Sequence, residues 1–394
     1  MFKNISFNNF KCLDNKSFEL NKLNVFSGYN GRGKSSVLQG LLMLSQSVGN
    51  GAGSLLKLHV NGKMVELGEF LEILSDDSRK YIEFDIDTDD SQFETVKLQY
   101  SLSEVDPRIG NLSACNINGS DYFDSVGKLE TGNNEKSDHD QDNRQLSKAI
   151  PEGFLKSLRE IHFVSADRIG PTKYVEKTEV PDVHRVDSHG VNTINTIESY
   201  NDSVPAEMNL DKTDQAKDFK VVLSEWLNYI MVGGKVSVHS DQSSPVLSLK
   251  FDIKERSFSS YNVGFGYSYI LSIVVTALIA KKDSIVIIEN PEAHLHGQAQ
   301  SRLTELLAKL ASRGVQLFIE THSEHIINGF RKELLKDNCS LSNTDICIYF
   351  FDNDFSVKSL KIEPNGKIKN WPEGFFNQET HDLAEIMLLG SKIK

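Results

Sequence analysis

Gly28-Tyr29-Asn30-Gly31-Arg32-Gly33-Lys34-Ser35 is the stretch whose reading decides the fold. It is a full G-x-x-x-x-G-K-S match. Before it, Leu23-Asn24-Val25-Phe26-Ser27 is apolar and β-prone. After it, Lys34 to Leu44 carries Val37, Leu38, Leu41, Leu42 and Leu44 at helical spacing. Strand, glycine-rich turn and helix in that order make an anion cradle. The glycines let the backbone turn tightly and bring its N–H groups against phosphate oxygens, and the new helix adds the positive end of its dipole. Asn30, Gly31, Gly33, Lys34, Ser35 and Ser36 are therefore the candidate nucleotide contacts. Lys34 is expected to reach the β- and γ-phosphates of ATP, and Ser35 to ligate Mg²⁺. The alternative, a glycine-rich turn with a chance lysine, leaves the flanking strand and helix without a reason.

Downstream, Ser284-Ile285-Val286-Ile287-Ile288 is a continuous apolar run, the pattern of a parallel strand covered on both faces, and it ends in Glu289-Asn290-Pro291-Glu292-Ala293-His294-Leu295-His296. An acid at the carboxyl end of such a strand lies where an open α/β sheet binds ligand. Glu289 is thus expected to hold Mg²⁺ directly or through water. Glu292 is the candidate for orienting or deprotonating the attacking water. One strand later, Val315 to Ile319 ends in Glu320-Thr321-His322-Ser323. His322 at that strand end can hydrogen-bond the γ-phosphate and report which nucleotide is bound. His294-x-His296 and His322-x-x-His325 also allow a metal reading, but no cysteine joins them, and His294 and His296 read better as packing or hydrogen-bonding residues.

Asn262-Val263-Gly264-Phe265-Gly266-Tyr267-Ser268 precedes an apolar stretch, Tyr269 to Ala280, long enough for a buried helix. Asn262, Gly264 and Gly266 would make a second anion-binding helix start. One ATP cannot sit on two helix starts of one subunit when each belongs to a different place in the sheet. The segment is therefore expected to cap the γ-phosphate of ATP held by a second copy, in a homodimer or higher homo-oligomer. An ordinary glycine-rich loop before a core helix is the plainer alternative.

These four segments, in this order, resemble the head of an ABC-type ATPase, the group that includes SMC proteins, RecF-like repair proteins and OLD-family defence ATPases. Within it the chain most resembles stand-alone bacterial ATPases of the OLD and Septu type, often called AAA-type. Asn-Val-Gly-Phe-Gly at 262–266, Glu-Asn-Pro-Glu-Ala-His-Leu-His at 289–296 and Glu-Thr-His-Ser-Glu-His at 320–325 carry the likeness, as do Ser165 to Pro171 and Trp371 to Phe376. The resemblance implies an α/β P-loop NTPase with a mixed or parallel sheet flanked by helices, an antiparallel β subdomain and a helical insertion. It implies ATP hydrolysis in a dimer that controls a separate effector, a nuclease, in antiphage defence, with DNA or RNA open as a further partner. Relatives commonly carry Asp-Glu where this chain has Glu289-Asn290, which leaves hydrolysis to Glu292 or makes it slow. Leu67-Gly68-Glu69-Phe70 stands about where a Q-loop glutamine is expected. A low-turnover scaffold or sensor and a RecF-like DNA-repair ATPase are the competing readings.

The chain has 394 residues, 39% of them hydrophobic, enough for one large core or two domains. Its 43 basic and 55 acidic residues give a net charge of −12, which argues against a broadly cationic nucleic-acid binder. No apolar run is long enough to span a bilayer, so a cytoplasmic protein with no membrane partner is expected. Cys12, Cys115, Cys339 and Cys347 lack metal spacing and read as reduced thiols. No TOPRIM-type acidic cluster or HNH motif is evident, so any cutting of nucleic acid falls to another polypeptide. Composition divides the chain into residues 1–115 with the cradle, an Asn-, Asp- and Ser-rich insertion at 116–144, a core strand and Ser165 loop at 145–171, a helical insertion at 172–235, and 236–394 with the remaining motifs. Strands are expected over 2–8, 17–28, 81–87 and 95–101, a helix over 221–230 containing Trp226, a terminal strand pair at 346–351 and 357–362, and an amphipathic helix over 382–389. Arg168 is open to a phosphate, a partner or a structural salt bridge.

Overall fold

The computed structural model describes residues 1–394 except 50–54, 125–149, 179–184, 212, 241–244, 255, 338, 373, 377 and 392–394. It begins with β1 (Phe2–Asn8), β2 (Lys16–Glu19), β3 (Leu23–Gly28) and helix α1 (Lys34–Gln46). The strand expected over 17–28 is two. β2 pairs with β1, whereas β3 enters another sheet. Between them Asn21 N donates to Asn24 Oδ1 and Asn24 Nδ2 donates to the Asn21 carbonyl, each at 2.8 Å, a local exchange that breaks the extended run.

β4 (Lys57–His59), β5 (Tyr81–Thr88), β6 (Thr95–Leu102), β7 (Ile109–Ile117) and β8 (Ser120–Asp124) join β1 and β2 in a seven-stranded antiparallel sheet. Ile82, Phe84 and Ile86 of β5 and Val96, Leu98 and Tyr100 of β6 are buried at every second position, as in a sheet with one covered face. The expected insertion at 116–144 begins inside this sheet, in β7 and β8, and from residue 125 onward it lies outside the described residues.

The middle of the chain holds α2 (Glu152–Arg159), β9 (Ile161–Val164), β10 (Tyr174–Glu176), α3 (Thr193–Ser199), β11 (Ser203–Val204), β12 (Lys217–Asp218) and α4 (Phe219–Met231). Trp226 of α4 is fully buried, and its indole donates to the Met208 carbonyl at 2.8 Å. β13 (Lys235–Ser240), β14 (Val246–Ile253) and β15 (Arg256–Ser259) form a small antiparallel sheet with β10.

α5 (Phe265–Ile279), β16 (Ile285–Glu289), α6 (Gly297–Ser312), β17 (Gln316–Glu320), α7 (Glu324–Glu333), β18 (Ile346–Phe351), β19 (Val357–Leu360) and α8 (Gln378–Gly390) follow. The central sheet runs β19-β18-β3-β17-β16-β9, parallel throughout except for β19. Strand alternation sorts its side chains onto two faces. Phe26, Ile287 and Phe318 pack with Val37, Leu38 and Leu41 of α1, while Val25, Val286, Leu317 and Ile319 pack with Ile270, Ile273 and Val274 of α5. α1 and α5 therefore cover opposite faces of one sheet. Because β3, β17, β16 and β9 are parallel, the loops that follow them meet at a single edge. The tail forms the expected helix, α8, but Leu383, Ile386, Met387, Leu388 and Leu389 on it are all exposed, so no apolar stripe is buried. No helix among the described residues is long and apolar enough to cross a membrane.

Candidate functional site

At that edge the loop from Gly28 to Gly33 is built by glycines with positive φ: 125° at Gly28, 70° at Gly31 and 103° at Gly33. A Cβ on Gly28 would lie 2.3 Å from the Phe351 carbonyl oxygen, so β3 and β18 approach too closely for any side chain there. Gly33 is the N-cap of α1 and offers no side-chain cap, which leaves the first-turn N–H groups for a ligand. Lys34 turns its ammonium into the loop, donating to the carbonyls of Gly28 at 3.1 Å and Tyr29 at 2.8 Å. Burial lowers its pKa, and the nearby charge of Glu320 opposes the shift.

Three acids border this cradle. Glu289 and Glu320 are direct neighbours across β16 and β17. Glu289 accepts from Ala166 N at 3.0 Å and Ser165 Oγ at 3.4 Å, and burial raises its pKa. Glu320 accepts from Ser35 Oγ at 3.0 Å, is buried, and has its pKa pushed up to about 7, chiefly by burial. Glu292 accepts from Thr321 Oγ1 at 2.8 Å and from His322 N at 2.7 Å, which ties the turn after β16 to the loop after β17. His322 is exposed, and its pKa is lowered, first by partial desolvation of its ring and then by the charge of Lys34. Its imidazole is therefore neutral at neutral pH and can donate one N–H. Asn290 adopts φ 43°, and its Oδ1 is buried without a hydrogen-bond partner among the described residues.

Arg168, open between three roles in the sequence, is 3% exposed and donates to the carbonyls of Ser165 at 2.9 Å, Glu289 at 2.8 Å and Asn290 at 2.8 Å. It clamps the ends of β9 and β16 together, and its guanidinium lies 5.3 Å from the centre of the Tyr269 ring. Glu69 closes a capping box with Glu72 at the start of a short 3-10 turn, so its carboxylate is engaged locally. His294 packs against the rings of Tyr269 and Phe265, and His296 accepts from Gln298 N at the start of α6.

The segment from Asn262 to Ser268 lies at the same edge but on the other face. A Cβ on Gly266 would come within 2.6 Å of the His294 carbonyl oxygen, whereas one on Gly264 would meet nothing within 4 Å. Gly264 is the N-cap of α5, again without a side-chain cap, and Tyr261 and Phe265 beside it are exposed. Asn262 donates to Ser259 Oγ at 3.1 Å. The structure thus brings Lys34, Ser35, Glu289, Glu292 and His322 together, while Asn262, Gly264 and Gly266 lie at the start of α5 on the other face of the sheet, where Gly266 abuts the His294 carbonyl. Glu320 is the residue that sequence reasoning passed over. The available signal was its place as the last residue of a buried strand, the same signal that singled out Glu289. Hard carboxylate and hydroxyl oxygens beside a phosphate cradle, one of them the buried Oε2 of Glu320 that has no partner among the described residues, fit Mg²⁺.

A family model described as AAA ATPase domain matches residues 1–327, and one described as a protein of unknown function (DUF3696) matches residues 341–386. No curated protein matches the chain. Among solved structures, an SmcHead bound to the C-winged helix domain of ScpA aligns with a TM-score of 0.50 at 15% identity, covering 92% of this chain and 98% of that one. An SMC head domain from Thermotoga maritima (TM-score 0.44, 11% identity, 92% and 99% covered) aligns more loosely. So does an Smc head with an extended coiled coil bound to the C-terminal domain of ScpA derived from Pyrococcus furiosus (0.46, 13%, 98% and 99%). The likeness to the first of these establishes the fold, a P-loop ATPase head of the SMC kind, and with most of its length under one family model the chain belongs to the AAA ATPase domain family.

Proposed function

We propose that this chain binds and hydrolyses ATP, closes as a pair of copies around it, and through that closure controls a separate effector, a nuclease, in bacterial antiphage defence. One observation carries the pairing: two helix starts without side-chain caps, those of α1 and α5, open at one sheet edge on opposite faces, so a second copy is needed to bring them to one triphosphate. In this reading Lys34 binds the β- and γ-phosphates, and Ser35 and Glu289 serve Mg²⁺. Glu292 orients water, His322 donates to the γ-phosphate, and Asn262, Gly264 and Gly266 cap it from the partner. Mg²⁺ would supply charge neutralisation on the phosphates. The effector and the defence setting rest on the residues shared with OLD- and Septu-type ATPases, and an SmcHead that carries a ScpA domain offers a parallel for a head answering to another protein.

Asn290 favours a second reading, a slow sensor that holds ATP, because an amide stands beside Glu289 where a carboxylate would serve as base, and both oxygens of Glu292 are already engaged. A third, a RecF-like DNA-repair ATPase, requires turnover stimulated by DNA. Sedimentation with ATP, with ADP and without nucleotide tests the pairing. A shift to a dimer with ATP, lost in Lys34→Ala, is expected. Monomers that hold ATP and Mg²⁺ without associating overturn it, and the steady-state rate, with and without DNA, separates the three readings.

A further inference from the structure

Glu320 ends β17, the strand between the cradle strand β3 and the acid-bearing strand β16, with Phe26 as its neighbour on one side and Glu289 on the other. The Ser35 hydroxyl donates its only proton to Glu320 Oε1 at 3.0 Å. That donation directs the lone pairs of Ser35 Oγ away from the carboxylate, where a cation can meet them. Glu320 is 6% exposed, and its second oxygen, Oε2, has no hydrogen-bond partner among the described residues. An unpaired buried carboxylate oxygen is costly, and native sites recover that cost with a ligand or an ion.

The other two acids are differently placed. Glu289 Oε2 is occupied by Ala166 N and Ser165 Oγ, and Glu292 is occupied by Thr321 Oγ1 and His322 N. Of the three, Glu320 alone has a buried oxygen left unpaired among the described residues, and it alone bonds Ser35. Three carboxylates beside a triphosphate also repel it unless a divalent cation stands between them.

We propose that Glu320 is a carboxylate of the divalent-cation site: it orients Ser35 toward the cation of a metal–nucleoside triphosphate and offers Oε2 to that cation or to one of its waters, while Glu289 stands one strand further out. The proposal rests on the nucleotide reading above and deepens it.

The test uses the full chain, Mn²⁺ as probe and a non-hydrolysable ATP analogue, with Mn²⁺ binding read by electron paramagnetic resonance and analogue binding in EDTA read by calorimetry. Glu320→Ala should weaken Mn²⁺ binding in the presence of the analogue about tenfold or more. Its metal-free affinity for the analogue should stay level or tighten, because a negative charge beside the phosphates is gone. Glu320→Gln keeps the shape and still accepts from Ser35, so it should lose less Mn²⁺ affinity than the alanine variant and guards against a folding defect. Glu289→Gln should lose less than Glu320→Ala. Unchanged Mn²⁺ affinity in both Glu320 variants overturns the proposal. A wild-type chain that binds no analogue, with or without metal, instead overturns the nucleotide reading itself.

Discussion

A methyl group at position 28 has no room. The ideal Cβ lies 2.3 Å from the Phe351 carbonyl oxygen, at the point where Tyr29 N donates to that same oxygen at 2.9 Å, and φ there is 125°. Gly28→Ala should therefore destabilise the fold by at least roughly 1–3 kcal/mol from backbone conformation alone, with the steric push added. Gly31, in the same loop, opens onto empty space, so Gly31→Ala should cost only about 1–2 kcal/mol for its left-handed backbone. Denaturant titration of the two variants checks the order, and equal losses would refute it. His162 on β9 makes a different kind of residue-scale prediction. It is buried, its Nδ1 lacks a partner among the described residues, and burial, followed by the charge of Arg185, lowers its pKa to about 3. The native chain refuses a proton that the unfolded chain accepts below its ordinary histidine value of 6.5. Stability contributed by this site is thus whole above that value and declines as pH falls toward the folded pKa, by up to about 1.4 kcal/mol per pH unit. His162→Gln should flatten that slope, and parallel melting curves for variant and wild type from about pH 7.5 to about pH 5 would count against the assignment.

At the scale of elements, the phosphate loop is braced by the turn between β18 and β19. Arg32 Nη2 donates to Asn353 Oδ1 at 2.7 Å, and its guanidinium lies 4.5 Å from the centre of the Phe355 ring. Gly374 lies against Tyr29, where a Cβ would come within 2.2 Å of the phenol oxygen, beside the packed rings of Trp371, Phe375 and Phe376. Phe355→Ala removes a contact worth about 0.5–1 kcal/mol at a partly exposed site, so ATP affinity should fall a few-fold with the fold intact. Calorimetry that finds an unaltered affinity would show that the loop holds its shape without the turn. The cradle was legible in the sequence because strand, turn and helix are contiguous and the glycine spacing belongs to one local conformation. β5 and β6 were legible by alternation, whereas β4 is only three residues long and β7 carries a register shift at Cys115 and Asn116 that disturbs its pattern. α5 begins at Phe265, a turn before the apolar stretch, since Gly264 caps it where no hydrophobic period is yet visible. The strand-end position of Glu320 was readable but its partner was not: Ser35 is 285 positions away, and only the placement of β17 between β3 and β16 brings them together.

At the scale of the whole molecule, the sheet sets the constraint. α1 belongs to the core shared with the antiparallel sheet, α5 to the core on the other face, and both helix starts open at the carboxyl edge. A rigid sheet keeps them apart within one chain, so a two-fold pair would give each ATP one start from each copy. Gly264→Asp should then place a carboxylate against the partner's γ-phosphate and block closure by like-charge repulsion, and the open space around Gly264 means the change should leave the fold undisturbed. ATP should still bind the variant's own cradle. Lys34→Ala should fail in the complementary way, losing its own cradle while presenting an intact Gly264. In a heterodimer of the two, one composite site combines the intact cradle with the intact α5 start, and the other combines both defects. An equal mixture of two inactive variants should therefore recover up to about a quarter of wild-type ATPase turnover, since half of the pairs are mixed and each has one good site of two. The measurement is steady-state ATPase across mixing ratios, with heterodimers confirmed by native mass spectrometry. A mixture as inactive as its parents, despite confirmed heterodimers, would mean that the Gly264 segment serves its own chain or that the two sites must fire together.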